Sequence, residues 1–211
     1  MDQLINLISF PFRDKKWIIK LLIGGVLSII PIINFFSFGY SYHIFKEAIE
    51  GKTAYLPEWN QWDYLFKKGF YIFILGLIYT ILPSLLIMLS LSFMTLKGPF
   101  FILGFLLILI SIILYIAVLF FFPTAIALFA KKENIKDALN FSFIIKSTIN
   151  FCPDYFKPFL TGIGIIIVGL IIESILGSIP TLGWLIFFFL NFYISIILAR
   201  LFGEFFLRKK L

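Results

Sequence analysis

The sequence predicts an all-α polytopic transmembrane helical bundle. Three observations lead there. Of 211 residues, 61% are hydrophobic and only 14% charged, against about 45–50% and about 25% in soluble domains, and the mean hydropathy is +1.05. The apolar residues fall in five near-continuous segments of roughly spanning length rather than alternating, which suits helices because an unpaired strand edge cannot sit in lipid. The basic residues form short clusters between those segments, as membrane-surface loops do. Together these exclude a disordered chain, a coiled coil, a disulfide scaffold and an ordinary cytosolic enzyme.

A single integral membrane domain, 1–211, is expected. Residues 1–16 read as an interfacial N-terminus, with Met1, Leu4, Ile5, Ile8 and Phe12 on one helical face,. No cleavable leader is expected, since no basic residue precedes Arg13 and no small-residue cleavage site follows,. The first apolar segment runs from about 18 to 45 and is interrupted by Gly24-Gly25 and Pro31. Connector 46–68 follows. Segments at about 69–93 and 100–130 carry Pro83 and Pro123 as expected kinks, and Lys97-Gly98-Pro99 turns between them,. Connector 131–157 is expected to be amphipathic, with Ile135, Ala138, Leu139, Ser142, Ile145 and Ile149 on its apolar side,. The last two segments, about 159–179 and 183–206, meet at Pro180-Thr181-Leu182-Gly183.

The eighteen Lys and Arg residues test the topology. Five simple crossings with the N-terminus inside would leave most of them outside, against the positive-inside rule. Two arrangements restore it: an outside N-terminus, or a first segment that enters and leaves on the same side, re-entrant at Pro31. The second leaves only Lys97 outside. It divides twenty-eight residues into two arms too short to span alone, which need protein around them,. It puts the connectors and the C-terminus in the cytoplasm of a multi-pass cell-membrane protein. A short echo, Tyr42-His43-Ile44-Phe45-Lys46-Glu47-Ala48-Ile49 after Pro31 and Lys132-Glu133-Asn134-Ile135-Lys136-Asp137-Ala138-Leu139 after Pro123, points to a paired design.

The interfacial motif is Gly39-Tyr40, then Gly51, then Leu56-Pro57-Glu58-Trp59 with Trp62, Phe66 and Gly69. Pro57 suits a first helical position and Glu58 complements a helix dipole. Trp59, Trp62, Phe66 and Gly69 then share one face, with Asp63 and Lys67 paired on another,. An in-plane helix anchored by tryptophans is expected, serving as anchor, lid or docking surface. With Phe12-Arg13-Asp14-Lys15-Lys16-Trp17 and Ile23-Gly24-Gly25, residues 12–69 resemble the prokaryotic membrane-protein family catalogued as domain of unknown function 4013. The resemblance implies a bacterial or archaeal membrane protein and no assigned activity.

Glu173 lies among Ile171, Ile172, Ile175 and Leu176. A carboxylate at bilayer depth costs about 2.5–3.5 kcal/mol on insertion scales, so it must face protein or water, or carry a proton. Counted from the turn, Asn191 falls at similar depth on the next segment. The two, with Asn34 after the Pro31 kink, are expected to form a polar core, either structural glue or a proton, cation or substrate site. Arg200 and Glu204 read as a local ion pair, and His43 as an interfacial aromatic,. No enzyme signature, metal set or cofactor motif is found. Expected partners are membrane lipids and a second copy or another membrane protein, with no nucleic acid. The expected function is a small transporter or lipid-handling protein. The alternative is a non-catalytic scaffold that docks partners on cytoplasmic amphipathic helices.

Overall fold

The computed structural model describes residues 2–52, 55–177, 179 and 182–209, with backbone alone for Asp2, Leu182 and Trp184. Met1, Pro180 and Thr181, all named above, lie outside the described residues. Eight α-helices are described and no strands: α1 Asp2–Ile8, α2 Trp17–Ile29, α3 Phe35–Ile49, α4 Trp62–Met94, α5 Pro99–Lys132, α6 Phe141–Phe151, α7 Phe156–Leu176 and α8 Leu182–Leu207. Four of these, α4, α5, α7 and α8, are long and apolar enough to cross a membrane.

The first apolar segment is a broken hairpin. The residue before a proline is pushed out of the α region, and Ile30 is extended at ψ 119. Ile32 then takes φ 71, a left-handed conformation costly for a β-branched side chain. The chain reverses, so the Ser37 hydroxyl donates to the Gly24 carbonyl thirteen residues earlier at 2.8 Å. The arms, α2 of 13 residues and α3 of 15, are about 20 and 22 Å long at 1.5 Å per residue. Neither crosses a hydrocarbon layer of about 30 Å. The support their backbones need comes from α8, which packs along both arms, and from α4.

Small residues set how closely these helices meet. A Cβ at Gly39 would lie 1.9 Å from the Leu65 carbonyl oxygen, and one at Gly69 would lie 1.7 Å from that of Phe35. The α3–α4 crossing is therefore backbone on backbone. α4 and α5 form a long antiparallel hairpin that turns through Gly98, at φ 71. Ser90 donates to the Gly104 carbonyl and Ser111 to that of Pro83, at 2.6 and 2.7 Å. Pro83 and Pro123 both lie inside continuous helices. α7 runs antiparallel to α8 and approaches α5 through Phe120, whose ring lies 5.1 and 4.9 Å from those of Tyr155 and Phe159.

One end of the bundle gathers the connectors. Lys46 pairs with Glu133. Lys131 donates to the carbonyls of Phe206 and Lys209, and Lys209 pairs with Asp154 at 2.6 Å. Lys97 sits at the opposite end, in the α4–α5 turn. The two echo segments meet through the Lys46–Glu133 pair without repeating each other's structure. Lys46 is still helical, whereas Glu133 ends α5 at φ 54.

Two local expectations are corrected. The 46–68 connector holds no separate in-plane helix: α3 continues to Ile49, residues 56–58 are irregular, and α4 starts at Trp62 rather than Pro57. No ion pair joins Asp63 to Lys67 among the described residues. In the second connector α6 forms, but its buried face is Ile144, Ser147 and Thr148. Thr148 bonds Thr124 of α5 at 2.8 Å, and that contact turns Ile145 and Ile149 outward, 41% and 56% exposed.

Candidate functional site

The Leu-Pro-Glu-Trp segment is a strap across the base of the α2–α3 hairpin. Lys20, 3% exposed, is its hub. Its ammonium donates to Asp14 at 2.7 Å and to the Leu56 carbonyl at 2.8 Å, and it pairs with Glu58 at 2.8 Å. The Trp59 indole N–H donates to the Lys20 carbonyl at 3.2 Å. Tyr40 stacks on Trp59 with centroids 4.1 Å apart, and its hydroxyl donates to the Pro57 carbonyl at 2.8 Å. Trp62 stacks on Trp59 in turn, and Gly39 lets α4 approach. Burial works to raise the Asp14 carboxyl. The Lys20 hydrogen bond, the Lys16 backbone N–H and both lysine charges outweigh it and hold the group below its ordinary value,. The motif residues are thus brought together by Lys20, which sequence reasoning passed over. The available signal was a lysine three residues inside an apolar run, a position that calls for a partner.

A second cationic cluster lies at the connector end. Lys68 is buried among the rings of Phe129, Tyr64 and Tyr42, 5.2, 5.7 and 5.8 Å from their centroids,. Glu133 lies 3.5 Å from it. The hydrogen bond from Lys46 and the charge of Lys68 hold the Glu133 carboxyl below its ordinary value. His43 faces Glu47 at 3.4 Å, and Arg200 pairs with Glu204 at 2.6 Å beneath the Phe10 ring.

A half-open groove of about 590 Å³ is walled by α3, α4, α5, α7 and α8. That volume is typical of small-molecule sites, which run from about 300 to 1,000 Å³. Phe38, Gly76, Val118, Ile163 and Leu198 mark its walls, which are almost wholly apolar. Its polar points include Thr80 and the hydroxyls of Ser41 and Ser195, which hydrogen-bond each other at 2.7 Å. A smaller cavity of about 300 Å³ continues it, sharing Ile166, Ser195 and Leu198 and adding Glu173 and Asn191. From Phe159 to Glu173 the two cover fifteen residues of α7, about 21 Å of rise.

The Asn191 amide donates to Glu173 Oε1 at 2.5 Å and to the Phe187 carbonyl at 2.8 Å. Glu173 is half-buried and Asn191 exposed, so the pair lies on the groove rather than inside a sealed core. Glu173 is three residues from the end of α7, about 5 Å, near the bundle end opposite the connectors. Asn34 does not join it. It lies at the hairpin tip, outside both cavities, with its buried amide oxygen unpartnered. Ser41, Ser195 and Thr80 were missed, because isolated hydroxyls in apolar helices give no periodic signal. Among the described residues no group of three His, Cys, Asp or Glu side chains is placed to hold a metal.

A family model described as "Protein of unknown function (DUF4013)" matches residues 23–178, about three quarters of the chain. No curated protein and no solved structure matches.

Proposed function

The chain belongs to the DUF4013 family of proteins of unknown function, and from that premise we propose that this multi-pass membrane protein handles lipid, holding an apolar chain in the groove between α3, α4–α5 and α7–α8. The observation that carries the reading is the continuous groove, apolar for most of its length and polar where it meets Glu173 and Asn191. In water such a surface would be costly to expose. In a bilayer its half-open side admits an acyl chain without opening an aqueous path. In this reading the connectors and the C-terminus face the cytoplasm. Support comes from the charge division: among the described residues, Lys97 is the one basic residue at the far end,.

The scaffold alternative draws on one feature, the outward stripe of Phe141, Ile145 and Ile149 on α6. A stripe of that kind also suits the boundary between headgroups and chains. Photocrosslinking separates the two. A phospholipid with a diazirine-bearing acyl chain, incorporated into nanodiscs with the protein, is expected to label peptides holding Gly76, Val118 and Ile163. Labelling confined to outward residues such as Leu85, Ile113 and Leu160 would overturn the groove reading.

A further inference from the structure

The lipid-handling groove has ends of different chemistry, and its far end is selective. Resting on that reading, we infer that the Glu173–Asn191 end takes a primary ammonium group, so the preferred occupant is an amphiphile with a protonated amine head and an apolar chain.

The argument runs from charge and hydrogen-bond inventory. The smaller cavity is lined by Ile166, Leu170, Glu173, Asn191, Ile194, Ser195 and Leu198, so its one ionisable side chain is an acid. Among the described residues no Lys, Arg or His pairs with Glu173. The Asn191 amide nitrogen is already committed to Glu173 and Phe187, and the Ser195 hydroxyl donates to the Phe192 carbonyl at 2.7 Å, which leaves oxygen acceptors at the cavity, chiefly the carboxylate and the Asn191 amide oxygen. Acceptors without donors fit a group rich in N–H, and a primary ammonium offers three. A phosphate brings only acceptors and negative charge, and a trimethylammonium brings charge without N–H. The position agrees with the chemistry. Glu173 sits within the last turn of α7, where a headgroup would lie. The larger cavity then runs back along α7 toward Phe159 and takes the chain.

The ammonium could belong to an aminophospholipid of the bilayer or to a free long-chain amine. Both are tested on the full chain in nanodiscs. Native mass spectrometry would count the lipids retained from equal mixtures of phosphatidylethanolamine, phosphatidylcholine and phosphatidylglycerol of identical chains. Dodecylamine titrated against bound lipid would form a second arm. The wild type is expected to retain phosphatidylethanolamine over the other two by about tenfold, the factor a charge-assisted hydrogen bond supplies. Displacement by dodecylamine at micromolar concentration would assign the site to amines in general, and its failure to the aminophospholipid. Glu173→Gln should erase the preference by bringing retention of phosphatidylethanolamine down to that of the other two lipids. Gly76→Phe is the control for the groove itself. A Cβ there meets nothing within 4 Å, so the ring fills the cavity instead of displacing a helix, and retention of every lipid should fall. Equal retention of the three lipids by the wild type, with Gly76→Phe still blocking them, would overturn the ammonium inference and leave the groove standing. Unchanged retention in Gly76→Phe would overturn the groove.

Discussion

Lys20→Met tests whether a single buried cation fastens the strap to the hairpin. The substitution keeps the length of the side chain and removes its charge. Asp14, with a side chain 11% exposed, loses its closest cation, and breaking a buried pair costs about 3–5 kcal/mol. The Leu56 carbonyl, on a residue 3% exposed, loses its donor, at about 1–3 kcal/mol. Two facts pull the sum down. The Lys16 backbone N–H still donates to Asp14 at 2.7 Å, and Glu58, 57% exposed, contributes at most about 1 kcal/mol. The expected loss is about 3–4 kcal/mol, a large share of a net stability of about 5–15 kcal/mol. For a chain of this size that is about 6–16 °C in Tm, at about 2–4 °C per kcal/mol. Fluorescence-detected size exclusion after heating in detergent reads it. Adding Asp14→Asn should return much of the loss, because the stranded carboxylate is gone. A Tm shift for Lys20→Met below about 3 °C would refute the reasoning. The pH dependence gives a second check. Asp14 is held below its ordinary value, so its contribution is complete above the unfolded pKa of about 3.9 and disappears as pH falls below that. The gap between wild type and Lys20→Met should therefore be constant from neutral pH to about 5 and shrink below about 4.

Four further outcomes are expected. Gly39→Ala drives a Cβ into the Leu65 backbone and should cost about 1–3 kcal/mol or more, whereas Gly164→Ala, which meets open space, should be neutral or stabilising by up to about 1 kcal/mol; paired thermal melts decide. Tyr40→Phe removes the bond to the Pro57 carbonyl and should lower stability by about 1–2 kcal/mol with the Trp59 stack intact, read by tryptophan emission. Glu133→Gln should cost no more than about 1 kcal/mol, because half of that side chain is exposed,, and acid titration should then lack the step that loss of the Glu133 charge gives the wild type. With Cys152→Ser as background, Lys52→Cys and Lys132→Cys should react with an impermeant maleimide from one membrane face and Lys97→Cys from the other; Lys97→Cys reacting from the same face would refute the four-span arrangement.

The lysine distribution made the re-entrant hairpin legible, because solvation of charge constrains which ends can lie together. The four long helices were legible for the same reason, since length and apolarity are additive along the chain. The strap was misread as a helix from Pro57. Trp59, Trp62 and Phe66 do have helical spacing, but Lys20 and Tyr40, remote in sequence, bind the backbone of Leu56 and Pro57 first. On α6 the apolar spacing was outweighed by the Thr148–Thr124 bond. Glu173 and Asn191 were matched correctly by counting from a turn. The groove itself was invisible, because Phe38, Val118 and Ile163 are indistinguishable in sequence from residues that face lipid. A cavity arises from how helices diverge, and single residues do not encode it.

The hairpin also has a consequence for biogenesis. Its wall is α8, at the other end of the chain, about 130 residues beyond the last residue of α3. At translation rates of about 5–20 residues per second, that wall arrives on the order of ten seconds later. Until then α4 can cover α3 but α2 lacks its wall, so the unfinished hairpin must wait at the membrane surface or beside the insertion machinery. The N-terminal quarter of the protein is thus synthesised first and completed last, and a chain that stops before α8 leaves its own beginning unfinished.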